Sequence, residues 1–170
     1  FNIDSVNNSA HALFYFAIGL PAFALIKVFS SFLFARHNTK TPFHFSILSV
    51  LLNIIISIYF FNKIGFIIIP IATTISSWFN TFLLLSYLLF KKYFYIYKNF
   101  QIKFLNILSV SFFSSFIFYK LIHNFHEYLI YESKYKLLTI ILLVIITFLI
   151  YITSSIATKA FKISDIKLKY

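Results

Sequence analysis

The chain has 170 residues, of which 61% are hydrophobic and 11% charged, and it carries a net charge of +11. A soluble domain, in which about a quarter of the residues are charged, is excluded. The absence of cysteine removes disulfides, thiolate metal sites and cysteine nucleophiles.

The chain opens on a polar run from Asn2 to Ser9 with no initiator methionine and no basic n-region. This is expected to be neither a signal peptide nor an ordinary natural start. Five apolar segments follow, at about 9–34, 43–61, 66–90, 104–122 and 137–158. Each is close to or above the roughly 20 residues that cross hydrocarbon as a helix. Backbone groups in lipid must be satisfied within the segment, and the runs lack the strict alternation of barrel strands, so helices are expected. The fold class is therefore an all-α integral membrane protein with five transmembrane helices. Three of them fall in residues 1–92, and two, with a basic tail, in 93–170. The linkers, Arg36 to Pro42, Asn62 to Gly65, Lys91 to Lys103 and His123 to Lys136, are too short to be separate domains.

The first segment holds a lysine, Lys27, nine residues before Arg36, or roughly 13 Å along a helix axis. An intramembrane charge is expensive and asks for a functional reason, with snorkelling to the headgroups as the structural alternative. The row His11, Tyr15, Gly19, Phe23, Lys27, Ser31 advances by four, with Ser30 beside Lys27, so polar atoms gather along one side. Pro21 removes a backbone donor and leaves the Ala17 carbonyl short of a partner, which with Gly19 marks an expected kink or hinge. Arg36, His37 and Lys40 close the segment and are expected to anchor it at the headgroups, with capture of a phosphate as the alternative.

Ser46, Ser49, Asn53 and Ser57 share one stripe of the second segment, and Thr73, Ser77, Asn80 and Thr81 one of the third. Neighbouring polar stripes turn toward one another or toward water. Packing and interhelical hydrogen bonds are the ordinary use of such residues. Against that background Lys27, Asn53 and Asn80 are the candidates to face a shared cavity, the amides suiting sugar hydroxyls and the ammonium a diphosphate. Trp78 is expected to be an interfacial or packing aromatic, with stacking on a sugar as the alternative. The fourth segment carries Ser111, Ser114 and Ser115 on a small-residue face, and the fifth is apolar all round.

Basic residues are unevenly divided between the two sides. The first loop, the third loop and the tail hold Arg36, Lys40, Lys91, Lys92, Lys98, Lys103, Lys159, Lys162, Lys167 and Lys169, against Lys63, Lys120, Lys134 and Lys136 opposite. The positive-inside rule then puts the C-terminus in the cytoplasm. Charges split by bilayer-length segments do not form the single basic face of a nucleic-acid binder, and anionic membrane lipids are the expected contacts. Catalytic constellations are missing: His123-Asn124-Phe125-His126-Glu127 has no zinc spacing, only two glycines exist, and no acidic residue falls in the five segments. Neither an enzyme nor a cofactor is expected.

Gly19-Leu20-Pro21-Ala22-Phe23, Ile26-Lys27-Val28 and Phe34-Ala35-Arg36-His37-Asn38-Thr39-Lys40-Thr41-Pro42 resemble the signature of the MurJ (MviN) lipid II flippases. That family belongs to the multidrug/oligosaccharidyl-lipid/polysaccharide exporter superfamily. Phe34 and Asn38 depart from its usual tyrosine and aspartate. Ala72-Thr73-Thr74-Ile75-Ser76-Ser77-Trp78-Phe79-Asn80 and Leu52-Asn53 with Ser57 are similar to two further family patterns, although the glycines usual before the former are replaced by Ile68 and Pro70. The resemblance is specific over about residues 10 to 90. It implies the C-terminal third of a fourteen-helix, two-lobe flippase of the bacterial inner membrane, partnered by the missing N-terminal helices of the same transporter. That transporter would carry lipid-linked peptidoglycan precursor by alternating access around a cationic cavity. It implies, too, that the terminal helix pair borders a groove for the polyprenyl tail, and that the diphosphate-binding arginines lie in helices this sequence does not contain. A related exporter of other lipid-linked glycans or drugs, and a non-transporting scaffold for cell-wall enzymes, are the alternatives.

Overall fold

A computed structural model describes residues 3–93, 95, 98–130 and 134–158, the side chains of 4 and 98–100 excepted. Its helices are α1 (Ile3–Ala35), α2 (Lys40–Ile64), α3 (Ile68–Phe90), α4 (Lys98–Asn124), the short α5 (His126–Leu129) and α6 (Lys136–Ala157). They form two compact units, Phe1–Tyr95 and Ile96–Tyr170. Lys159, Lys162, Lys167 and Lys169 of the expected basic tail lie outside the described residues.

By length and hydropathy, the membrane-crossing stretches among the described residues are Ser5–Ala35, Lys40–Phe90, Gln101–Asn124 and Lys136–Ala157. The second, at 51 residues, is too long for one crossing of a roughly 30 Å hydrocarbon core. It is two helices joined by a 3-10 turn, Gly65–Ile67. Contacts between α2 and α3 grow more distant in sequence toward the free ends: Asn53 reaches Thr73 and Ser76, and the Phe45 ring meets Tyr87. That is an antiparallel hairpin, so the five expected crossings are present. The turn requires glycine, because Gly65 has φ 72° and ψ −153°, a conformation that strains any residue with a Cβ.

α1 runs parallel to α3. Thr74 Oγ1 donates to the Tyr15 carbonyl, Trp78 Nε1 to that of Ile18 and Thr81 Oγ1 to that of Ala22, at 2.7, 3.2 and 3.1 Å, with constant separations of 59 or 60 residues. These three ties bracket Pro21, around which α1 continues unbroken. Gly19 permits the close approach, since a Cβ there would stand 3.1 Å from Thr74 Oγ1. Toward the other end the contact becomes apolar, with Phe29, Leu33, Leu84 and Leu88 forming one buried cluster. Thr81→Val, which keeps the shape and loses the hydroxyl, is expected to cost about 0.6 kcal/mol, the mean for interhelical hydrogen bonds in a membrane. Denaturant titration followed by circular dichroism would check it.

α1 and α3 end alike. His37 and Lys92 are left-handed, with φ 57° and 54°. The amide of the residue after each returns to a leucine carbonyl five residues back, Asn38 to Leu33 and Tyr93 to Leu88. Both are Schellman stops, at the same end of the unit because the helices are parallel. Elsewhere the large apolar side chains face outward, Ile58 at 71% and Phe90 at 81% exposure, as lipid-facing helices require and water does not tolerate.

In the second unit the Asn106 amide donates to the Thr158 carbonyl at 3.1 Å, tying the beginning of α4 to the end of α6, so these two are antiparallel. Among the described residues of this unit, Val110 and Ser114 of α4 and Leu143 and Ser155 of α6 are buried. Of the expected small face, Ser114 is thus the member turned inward.

Candidate functional site

α3 is the central helix of the first unit, with small side chains buried on two sides: Ala72, Thr74, Ser76, Ser77, Asn80 and Thr81. The stripe facing α1 carries the carbonyl ties described above. The stripe facing α2 carries an amide ladder. Asn53 Nδ2 lies 3.2 Å from Thr73 Oγ1 and 3.3 Å from Ser76 Oγ, and Ser57 Oγ donates to Asn53 Oδ1 at 3.4 Å. Asn80 stands four and seven residues beyond Ser76 and Thr73, which places it on the same stripe. It is buried to 6% exposure, and its Oδ1 has no hydrogen-bond partner. An orphaned buried acceptor is costly and asks for an explanation.

Lys27 is exposed and stands on a different face of α1. The α3-facing stripe is Gly19, Ala22, Phe29 and Leu33, and Lys27 lies roughly 120° around the helix from it. With the parallel offset of 59 residues, Lys27 is level with position 86, roughly 9 Å along the axis from Asn80. The structure thus sets Asn80 on the α3 stripe to which Asn53 bonds and sets Lys27 apart. Lys27 shares its stripe with Ser30 and Phe34, three and seven residues on.

That stripe opens on a groove of about 590 Å³ at the α1–α2 connection, lined among others by Ser30, Phe34, Lys40, Phe43 and Ser46. Lys40, expected as an anchor, is therefore a groove residue at the first position of α2. Arg36 is held differently: its guanidinium lies 5.0 Å from the Phe32 ring centre and 4.1 Å from that of Tyr93, a cation–π sandwich. Asn38, at a departure from the resembled pattern, is a structural post, since it donates to the Tyr87 hydroxyl at 3.1 Å and accepts from the Thr41 amide at 3.2 Å. Thr81, a member of the expected polar stripe, ties α3 to α1, whereas Thr74 and the indole nitrogen of Trp78 are ties that periodicity did not single out. Their signal was the Thr-x-x-x-Trp-x-x-Thr spacing opposite a proline-containing helix.

In the second unit a groove of about 300 Å³, lined by Phe125, Tyr128, Tyr135, Leu138 and Leu142 among others, lies along α6 beside α5. His126 and Glu127 sit in α5. Among the described residues no three His, Cys, Asp or Glu side chains are grouped to hold a metal ion.

Bilayer-length helices with outward apolar faces and inward polar stripes define a multi-pass membrane protein. Residues 1–140 match the family described as Lipid II flippase MurJ, and the chain belongs to that family. Similar proteins include the "Probable lipid II flippase MurJ" of Rickettsia prowazekii (strain Madrid E), 34% identical over 87 residues, 51% of this chain and 17% of the relative. The protein of that name from Rhizobium meliloti (strain 1021) is 34% identical over 91 residues, 54% of this chain and 17% of its own length. That from Vibrio cholerae is 31% identical over 84 residues, 49% and 16% respectively. The matched part thus spans about a sixth of these relatives.

Proposed function

We propose that this chain supplies part of one lobe of a flippase that moves undecaprenyl-diphosphate-linked peptidoglycan precursor across the bacterial inner membrane by alternating access, with its C-terminus in the cytoplasm. The family match over residues 1–140 carries the reading. Alternating access needs lobes that move as bodies. The first unit is built as one: α3 is tied to α1 by three side-chain-to-carbonyl bonds and to α2 by the Asn53 ladder. In this reading Lys27, on the face that α3 leaves uncovered, meets the anionic head of the lipid across the central cavity. Asn80, with its open acceptor, supplies a polar contact that becomes satisfied in one of the two states. The groove of the second unit takes part of the polyprenyl tail, for which its aromatic and leucine lining is suited.

The test uses a full-length transporter carrying this segment, expressed in cells depleted of their own flippase. Lys27→Ala is expected to lower lipid II translocation in reconstituted vesicles roughly ten-fold, as for loss of one charge-assisted hydrogen bond, and to slow growth. Undiminished growth and transport would remove Lys27 from the site. A parent protein that binds cell-wall enzymes yet moves no lipid II would favour a scaffold, and one that moves only other lipid-linked glycans a related exporter.

A further inference from the structure

The groove at the α1–α2 connection has a composition that the transport reading does not use. α1 and α2 pack on α3 far more than on each other, so they diverge from their connecting turn and leave a wedge. One wall presents Ser30 and Phe34, the other Lys40, Phe43 and Ser46. No aspartate or glutamate occurs between residues 5 and 126, so the ammonium in the wedge has no carboxylate within α1–α3 beyond Asp4, at the far end of α1. Arg36, the neighbouring cation, is engaged with two aromatic rings. Lys91 and Lys92 lie at the same end of the unit, just past α3. No carboxylate of α2, α3 or the α1–α2 connection neutralises Lys40.

We propose that this wedge is a headgroup site for an anionic phospholipid. The Lys40 ammonium pairs with the phosphate, the Phe34 and Phe43 rings flank the glycerol, and the Ser30 and Ser46 hydroxyls, deeper along the two helices, donate to the ester carbonyls at the head of the acyl chains. A compact cation suits a phosphate, and a hydroxyl donor a carbonyl oxygen. A free phosphate would leave the phenyl walls unused and most of the roughly 590 Å³ unfilled. Lys27 stands one turn from Ser30 on the same stripe of α1, but neither it nor Asn80 lines the wedge, so the site survives if the lipid II reading fails.

Native mass spectrometry of the full chain, released from detergent micelles with dioleoyl phosphatidylglycerol or dioleoyl phosphatidylcholine, tests it. Phosphatidylglycerol is expected to be retained and phosphatidylcholine lost. Lys40→Gln should weaken retention about five-fold, the change for one lysine at an anionic surface. Ser46→Phe should weaken it as much by filling the wedge with every charge in place. Lys63→Gln, at the opposite end of α2, should leave it unchanged, and helix content by circular dichroism should match the parent in all three. Retention undiminished in Lys40→Gln and Ser46→Phe, or lowered equally by Lys63→Gln, would overturn the site. Displacement of the lipid by millimolar inorganic phosphate would overturn the lipid as its occupant.

Discussion

Gly19→Leu is expected to force α1 off α3 and to destabilise the first unit by about 3 kcal/mol, the upper end for overpacking a close contact. The reason is local. A Cβ at this position already lies 3.1 Å from Thr74 Oγ1 and 3.7 Å from Thr74 Cα, and that hydroxyl cannot swing aside without breaking its 2.7 Å bond to the Tyr15 carbonyl. The Phe23 ring, 3.2 Å away, can rotate. Gly19→Ala therefore sits near balance, because a helix gains about 1 kcal/mol from alanine over glycine while Thr74 must give by a few tenths of an ångström. Steric-trap or detergent-denaturation measurements would show the contrast. Equal stability of parent and Gly19→Leu would mean that the α1–α3 contact is not made as described.

Asn80→Leu and Asn53→Leu are expected to move stability in opposite directions, although both remove an amide from the polar stripes of the first unit. Asn53 links two hydroxyls of α3, and its loss should cost between about 0.6 and 1.7 kcal/mol. Asn80 buries an acceptor that has no partner, and its replacement should stabilise the unit by about 1 kcal/mol, the low end of the desolvation penalty for an unsatisfied group. In the full transporter, Asn80→Leu should still lower lipid II translocation if the open acceptor serves one state of the cycle. The same denaturation series, run beside vesicle transport, separates the two effects. Destabilisation by Asn80→Leu would show that its oxygen has a partner in the membrane.

Five crossings, their polar stripes and the family were legible in the residues, because each is a property of a single segment. Lipid demands about 20 apolar residues per helix, side chains recur with the helical period, and the run from Gly19 to Pro42 is a contiguous pattern. The boundaries were less legible. α1 begins at Ile3 and α4 at Lys98, earlier than hydropathy marks them, since helices extend past the hydrocarbon wherever backbone bonds can continue. The short α5 falls within an expected loop, because four residues carry no helical period.

Pairing between segments was the part that periodicity could not reach. That Gly19 is a contact point with Thr74, that Trp78 donates to a backbone carbonyl and that Asn38 braces the connecting turn depend on which helix lies beside which. Lys27 and Asn80 looked like partners on separate helical wheels, yet the parallel register of α1 and α3 turns them to different faces. Taken alone, the sequence determines a basic, multi-pass helical protein of the lipid II flippase family, because composition and local motif act within one stretch of chain. Only the tertiary structure decides that α3 is the shared spine and that Lys40 stands in a wedge without a carboxylate, because helix register and the angle between helices arise from side chains far apart in the chain.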